Sequence, residues 1–547
     1  MVLLSVQSKE QVEDLEHQLK ASEYGIDNVE GSYGVTEAKR ASDQEHAMPF
    51  LQAIKTYRKA AMWSMIVSTC IIMEGYDIVL VGSLYAQPAF QEKYGEYFPG
   101  IGYQIPARWQ IAIGNGTQAG AIIGAFANGW LTDRFGYRKL LLACMALTAA
   151  FIFVPFFAPN IQVMLVGQVL CGLPWGVFAT MAPAYAAEVC PLALRGYFTI
   201  YVDMCWAIGQ LIAAGVLQGT SNVTTKWAYK IPFAVQWIWP VLLIGCFWFA
   251  PESPWWLVRK GKLETAEKTI ERLKEKNSTT SSKETVAWML HTQAIEAEIQ
   301  SGVTYLDCFK GVDRRRTEVV MMTYASQNLC GLAIGGSPTY FFTQAGIAAS
   351  NAFKFTVGIL SLGVVCIAFS WYLITRIGRR TLYVYGLAVL ASLLFLIGFL
   401  AIPPTASRFA FAQAGIVFAW AIVFYMTLGP VCFAIISETS SMRLRAKSVS
   451  LARNSYYMVG IVINVLNPYM VNSSAWDWRG KTAFFYAGTC TACFVWAFFR
   501  LPETKDRTYE ELDVLFANKI PATKFDKYDV DVYAVDNNVL KKREKAK

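Results

Sequence analysis

Twelve long apolar runs constrain this chain more than any other feature of its sequence. Each approaches the length of about 20 residues that an α-helix needs to cross the hydrocarbon core of a bilayer. Charged residues make up only 16% of the 547 residues, against about 25% in soluble domains. The runs lie at 60–82, 109–131, 140–158, 161–185, 197–218, 231–249, 318–344, 352–375, 381–402, 409–436, 448–470 and 482–500. The sequence therefore predicts an all-α membrane protein with twelve transmembrane helices.

The longest polar stretch between runs divides the chain into two sets of six. It has the periodicity of surface helices, with Leu263, Ala266 and Ile270 on one face. We therefore expect two six-helix bundles joined by a cytosolic helical linker, with disordered cytosolic tails at both ends. The predicted units are an N-terminal tail at 1–57, bundles at 58–250 and 318–501, the linker at 251–317 and a C-terminal tail at 502–547.

The distribution of basic residues predicts the orientation. Clusters such as Arg314 to Arg316 fall in alternate connections, on the same side as both termini. Because cytosolic loops of membrane proteins carry an excess of Lys and Arg, both termini are expected in the cytosol. Asn222 and Asn472 stand in sequons that would face outward, and both are candidates for glycosylation. The net charge of +9 does not form a basic face, so no nucleic-acid partner is expected.

The two halves repeat charged motifs after corresponding runs. The pairs are Asp133, Arg134 and Arg138 with Arg376 and Arg379, and Glu188 and Arg195 with Glu438 and Arg445. In the second pair, glutamate precedes arginine by seven residues in both halves. Repeated halves are typical of secondary transporters that rock about a central site.

Longer motifs resemble the sugar porter family of the major facilitator superfamily, from about residue 58 to 513. They are Gly129-Trp-Leu-Thr-Asp-Arg-Phe-Gly-Tyr-Arg-Lys139, Ala187-Glu-Val-Cys-Pro-Leu-Ala-Leu-Arg-Gly196, Pro251-Glu-Ser-Pro-Trp-Trp-Leu257, Gly429-Pro430 and Pro502-Glu-Thr-Lys505. Three further segments, at 74–77, 167–176 and 328–331, are similar to fungal maltose/α-glucoside:proton symporters. The resemblance implies the major facilitator fold and import of a maltose-type disaccharide with a proton. It also implies a multi-pass protein of the plasma membrane that works as a monomer in the lipid bilayer.

Two acidic residues in the first run are the candidates for proton coupling. Glu74 and Asp77 are three residues apart and so share one helical face. Ionisable side chains inside a membrane usually mark ion or proton pathways. Many proton-coupled sugar porters carry an arginine where this chain has Gln168. We therefore expect Arg453, in the eleventh run, to supply the compensating positive charge.

The resemblance also assigns residues to the sugar. A sugar site needs amides or carboxylates for the hydroxyls and aromatic rings for the apolar face. By family position the candidates are Gln210, Gln327, Asn328, Phe433, Tyr456 and Tyr457. Asp203 stands where the family usually has a sugar-binding glutamine, so it either accepts hydrogen bonds from sugar hydroxyls or joins the proton path. Phe433 and Ala333 depart from the usual tryptophan and asparagine, and the smaller residues leave room for a larger sugar.

The repeated charged motifs are expected to form cytosolic clamps that favour an outward-facing state and break as the halves rock. Two alternatives to a symporter stay open: an uncoupled facilitator for glucose or cellodextrins, and a sugar sensor that does not transport. No enzymatic activity is expected, because no nucleophile–base pair or phosphate loop stands outside the apolar runs. No metal site and no cofactor are expected either.

Overall fold

A computed structural model describes residues 50–99, 102–275, 281–300, 304–335, 338–403, 407–440, 444–473, 475–505, 507, 509–530 and 540–542. The N-terminal tail before residue 50, which we expect to be disordered, lies outside this range.

Nine of the described helical segments are long and apolar enough to cross a membrane. Their helices are Arg58–Ser68 with Ile71–Leu84, Tyr137–Phe151 with Phe153–Phe156, Ile161–Val189, Leu192–Thr220, Trp227–Val235 with Ile238–Trp248, Ala349–Arg376, Arg379–Leu400, Ser407–Met426 with Leu428–Thr439, and Thr482–Arg500. These segments occupy the positions of the first, third to sixth, eighth to tenth and twelfth predicted spans. Their ends lie within five residues of the predicted ones.

The other three predicted spans are helical but more polar. The second span is Ala107–Phe135, and the eleventh is Arg445–Val471. The seventh is broken into Asp313–Leu329, Leu332–Gly335 and Pro338–Gln344. Glycines and amides in the second span and Arg453 in the eleventh lower their apolar character. Helices that line a polar cavity can carry such residues, because those side chains do not face lipid.

Shorter elements connect the spans. Helices at Phe50–Thr56 and Pro88–Tyr94 flank the first span, and helices at Pro254–Arg259, Leu263–Leu273 and Ser282–Gln300 follow the sixth. Strands β1 (Glu96–Phe98) and β2 (Gly102–Gln104) form an antiparallel hairpin in which Tyr97 pairs with Tyr103. The remaining elements are 3₁₀ helices at Tyr305–Phe309, Arg479–Lys481 and Ala522–Lys527, the helix Tyr509–Ala517, and the antiparallel strands Tyr528–Val530 and Leu540–Lys542.

The C-terminal segment is packed over 509–530, so the expectation of a disordered tail is wrong there. Leu515, Phe516 and Phe525 are buried in a small apolar cluster. The cluster lies against the start of the seventh span, where the guanidinium carbon of Arg316 is 4.5 Å from the centre of the Phe516 ring. Burial of these aromatic side chains supplies the free energy that orders the segment.

Close contacts between helices hold each half together. A Cβ atom on Gly124 in the second span would lie 1.9 Å from the carbonyl oxygen of Leu173 in the fourth. Glycine is therefore required for this approach of two membrane helices. Because successive spans alternate in direction, the start of the first span and the end of the twelfth lie on the same face of the protein. We call it the terminal face, and the opposite one the far face.

Candidate functional site

A central cavity of about 290 Å³ lies between the two halves. Seven of the predicted site residues line it: Glu74, Asp77, Gln210, Asn328, Arg453, Tyr456 and Tyr457. Asp203, Gln327 and Phe433 are not among the described lining residues. The volume is near the lower end of the range of about 300–1,000 Å³ found for small-molecule sites.

The seventh span opens toward this cavity at its break. Gly331 has φ +92°, a left-handed conformation that favours glycine. The indole Nε1 of Trp420 donates a hydrogen bond to the carbonyl oxygen of Cys330 at 3.2 Å, so the freed carbonyl is satisfied. The break allows Leu332 and Ala333 to face the cavity.

Asp77 is held by an amide from the sixth span. Its side chain is 2% exposed, and its Oδ1 accepts a hydrogen bond from Nε2 of Gln236 at 2.8 Å. The amide of Gln168 lies beside the same carboxylate, but its Nε2 is buried without a hydrogen bond of standard geometry. The Oε1 of Gln168 accepts from Thr117 at 3.3 Å. Among the described residues, neutral donors and no cation therefore contact Asp77.

Arg453 is surrounded by aromatic rings. Its guanidinium carbon lies 5.7, 5.2 and 5.0 Å from the ring centres of Tyr324, Tyr456 and Tyr457. Its Nε donates a hydrogen bond to the hydroxyl of Tyr457 at 3.2 Å. Electron-rich ring faces attract a cation within about 6 Å, so the three tyrosines stabilise this charge inside the membrane.

Two carboxylates interact electrostatically with Arg453, Glu74 on the cavity wall and Asp203 beside it. Among the described residues, neither carboxylate forms an ion pair with Arg453 within 4.0 Å. One arginine therefore provides partial compensation for two acids, and neither acid is fixed by direct contact with it.

Amide side chains are distributed over the cavity wall and its surroundings. Asn328 donates to the carbonyl oxygen of Tyr456 at 2.9 Å, and Gln210 accepts from the hydroxyl of Tyr425 at 3.5 Å. Gln327 donates to the carbonyl oxygen of Gly429 at 3.3 Å outside the cavity. Phe433 packs edge-on against Tyr324 with ring centres 5.7 Å apart, also outside it.

Several polar residues of the site were not predicted from the sequence. On the cavity wall they are Gln110, Gln118, Tyr340, Asn464 and Asn467, and around it they are Gln236 and Tyr324. Asn464 donates to Gln118 at 3.1 Å and so links the second and eleventh spans. Amides at helical spacing in apolar runs, such as Asn464 and Asn467, are the signal that could have identified part of this set.

Contacts between the halves close the far face above the cavity. Ser83 donates to the hydroxyl oxygen of Thr339 at 3.2 Å, and Gln110 donates to that of Tyr340 at 3.2 Å. Asn472 donates to the carbonyl oxygen of Ile105 at 3.1 Å. The side chain of Asn472 is 0% exposed, whereas Asn222 is exposed, so Asn222 is the accessible one of the two sequons.

Charged clusters on the terminal face repeat in both halves. Glu188 pairs with Arg259 at 2.9 Å and accepts a hydrogen bond from the hydroxyl of Ser253. In the second half, Glu438 pairs with Arg379 at 2.9 Å and accepts from the hydroxyl of Thr504 at 2.6 Å. Glu188 therefore contacts an arginine of the linker helix Pro254–Arg259, and Glu438 contacts an arginine of its own half. The side chains of Arg195 and Arg445, their predicted partners, lie outside the described part of the chain.

A second glutamate in each half binds the start of a helix. Glu252 accepts from the backbone N–H of Tyr137 at 2.8 Å, and Glu503 accepts from that of Arg379 at 2.8 Å. Burial raises the pKa of Glu252, although the backbone N–H groups of Ser253, Tyr137 and Arg138 oppose the effect. The remaining predicted clamp residues lie on the same face: Asp133, Arg134 and Arg376 are exposed, and Arg138 donates to the carbonyl oxygen of Trp248.

Comparison with known proteins identifies relatives over most of the chain. A family model described as sugar (and other) transporter matches residues 63–516. The maltose permease MAL31 of Saccharomyces cerevisiae is 40% identical over 511 residues, 91% of this chain and 82% of that protein. The general α-glucoside permease of Saccharomyces cerevisiae strain CEN.PK113-7D is 37% identical over 528 residues, 94% of this chain and 85% of that protein.

Solved structures share the fold at lower identity. A structure of the proton:xylose symporter XylE with 6-bromo-6-deoxy-D-glucose aligns with a TM-score of 0.66 at 20% identity, covering 84% of this chain and 99% of that one. The inward-open xylose transporter XylE from E. coli aligns with a TM-score of 0.66 at 18% identity, covering 83% of this chain and 99% of that one. The predicted all-α major facilitator fold is confirmed.

Proposed function

Because the chain belongs to the family of sugar (and other) transporters, we propose that it imports α-glucosides of the maltose type together with protons. The observation that carries the proposal is the central cavity. It brings two membrane-embedded carboxylates, Glu74 and Asp77, together with one cation, Arg453, and a wall of amides and tyrosines. The relatives named maltose and α-glucoside permeases support the choice of sugar.

The cavity wall has the groups that a sugar requires. Gln210, Asn328 and Asn464 carry amides that both donate and accept, as vicinal hydroxyls do. Tyr456 and Tyr457 provide aromatic faces for the apolar side of the sugar ring. Ala333 in the wall leaves space beside the break of the seventh span, which favours a disaccharide over a single hexose.

Proton binding follows from the imbalance of charge. The described residues that contact Asp77 are neutral donors, and Arg453 is shared between Glu74 and Asp203. An uncompensated negative charge inside a membrane is costly, so protonation of a carboxylate lowers the free energy of the occupied site. We assign Asp77 and Glu74 as the proton-carrying residues and Arg453 as their compensating charge. Asp203 is not among the described residues that line the cavity, so we assign it to the proton path and not to contact with the sugar.

Alternating access uses the two faces of the bundle. Far-face contacts such as Gln110 with Tyr340 join the two halves. We propose that these contacts break when the cavity opens outward. The terminal-face clusters around Glu188 and Glu438 then stiffen each half as it rotates. The protein would lie in the plasma membrane with both termini in the cytosol, act as a monomer and carry out no catalysis.

An uncoupled facilitator is the second candidate, and Gln168 favours it. Its amide lies next to Asp77 and cannot supply the positive charge that many coupled relatives have there. Arg453 opposes this alternative, since a buried cation next to two acids has no role in simple facilitation. A sugar sensor is the third candidate function, and no feature of the described residues favours it.

Uptake of radiolabelled maltose by a yeast strain lacking sugar transporters tests the proposal. External pH is recorded during sugar addition, and glucose and cellobiose are assayed in parallel. We expect alkalinisation with maltose that is absent in Asp77→Asn and retained in Asp307→Asn, a matched change in the 3₁₀ helix Tyr305–Phe309, away from the charged clusters and the central cavity. Maltose uptake without proton movement would identify a facilitator, and uptake of cellobiose or glucose alone would exclude the α-glucoside assignment.

A further inference from the structure

A second cavity of about 280 Å³ lies on the far face of the C-terminal half. Connections after the seventh, ninth and eleventh spans surround it. Its wall includes Phe409 and Gln413 of the tenth span and the segment Asp477 to Lys481. It shares no lining residue with the central cavity. We call it the far-face pocket.

Gln413 provides an unused hydrogen-bonding group in this pocket. Its side chain is 5% exposed, and its Oε1 is buried without a partner among the described residues. Burying an amide oxygen without a hydrogen bond costs free energy, so native proteins rarely leave one unsatisfied. An amide in this state fits a ligand that brings a hydroxyl or amine donor.

The loop that forms the rim is held in an unusual backbone conformation. Asp477 and Arg479 have φ values of 53° and 47°, and neither is glycine. Their side chains form an ion pair at 2.6 Å. Left-handed conformations of such residues cost free energy and cluster at ligand sites. Here they hold Trp478, which is 43% exposed, at the mouth of the pocket.

The chemistry of the wall matches a sugar better than an anion. The rings of Trp478 and Phe409 offer apolar faces for the C–H side of a pyranose. Gln413 can bind a pair of hydroxyls through its amide, and Asp477 accepts from a third. Arg479 and Lys481 also line the pocket, but Arg479 is paired with Asp477 at 2.6 Å. A phosphate would lie against the Gln413 oxygen and the Asp477 carboxylate, both of which repel it.

We propose that the far-face pocket is a second sugar site that binds an α-glucoside independently of the central cavity. This inference rests on the proposed function, because the ligand class is taken from it.

Equilibrium dialysis of radiolabelled maltose against the purified full-length protein in detergent tests the proposal. We expect two equivalents bound at saturation in the wild type. Gln413→Leu and Trp478→Ala should each weaken one equivalent at least tenfold and leave the other unchanged. Trp227→Ala is the matched control, since Trp227 is 50% exposed at the start of the sixth span on the same face and is not among the described residues that line the pocket. Asn328→Ala should remove the other equivalent.

The outcomes separate this inference from the proposed function. A single equivalent that is lost in Asn328→Ala and retained in both pocket variants would overturn the second site and leave the transport proposal intact. Loss of the second equivalent in Trp227→Ala as well would show that the effect does not depend on the far-face pocket and would also overturn the second site. No maltose binding to the wild type would overturn the proposed function and this inference together.

Discussion

The hydrogen bond from Gln236 to Asp77 makes a quantitative prediction. Gln236 is buried in the sixth span, and its Nε2 lies 2.8 Å from the carboxylate. Gln236→Leu removes a donor that stabilises the ionised carboxylate more strongly than the protonated one. A hydrogen bond to a charged group contributes about 1.5–3 kcal/mol. Since about 1.36 kcal/mol corresponds to one pH unit, the pH at which proton-driven uptake is half maximal should rise by about 1–2 units.

Initial rates of maltose uptake measured over a series of external pH values would test this shift. Gln87→Leu is the control, because Gln87 is equally buried but donates to the backbone carbonyl of Thr220 and not to a carboxylate. That variant should keep the wild-type profile. An unchanged profile in Gln236→Leu, at normal expression, would refute the assignment of Asp77 as a proton-carrying residue controlled by this contact.

Three further predictions concern the break, the terminal-face cluster and the far face. Gly331→Ala should destabilise the protein by about 1–2 kcal/mol because its φ is +92°, and thermal unfolding in detergent with maltose absent would measure the loss. Glu438→Gln removes the negative charge that pairs with Arg379 at 2.9 Å, an interaction worth about 1–2 kcal/mol, so the unfolding temperature should fall. An unchanged unfolding temperature would contradict a stabilising role for the cluster. Tyr340→Phe removes the acceptor for Gln110 at 3.2 Å, worth about 0.5–1.5 kcal/mol. An impermeant thiol reagent should therefore label a cysteine introduced into the cavity wall by Ala333→Cys faster in this variant.

Most of the fold could be predicted because lipid imposes one dominant requirement. A run of apolar residues near 20 in length has few alternatives to a spanning helix, and the observed ends agree with the predicted ones. The break of the seventh span at Cys330 and Gly331 was not predicted, since a glycine inside an apolar run is common in membrane helices. The packed C-terminal segment was missed because its apolar residues are few, and their burial depends on Arg315 and Arg316.

The site was predictable in its charges but not in their partners. Glu74, Asp77 and Arg453 were identified because an ionisable residue in an apolar run is rare and costly. Gln236 and Tyr324 were missed, since an isolated amide or tyrosine in a span carries no sign of which helix it faces. Glu188 contacts Arg259, 71 residues away in sequence, and sequence spacing gave no sign of this contact.

The central claim is that sugar and proton move together through one cavity, and the ratio of the two fluxes tests it most directly. Purified protein in proteoliposomes would be given a maltose gradient with no initial pH gradient, with a pH-sensitive dye inside. We expect protons to enter with maltose in a fixed ratio in the wild type, and we expect Asp77→Asn to abolish the proton flux. Maltose movement without a change of internal pH in the wild type would contradict it.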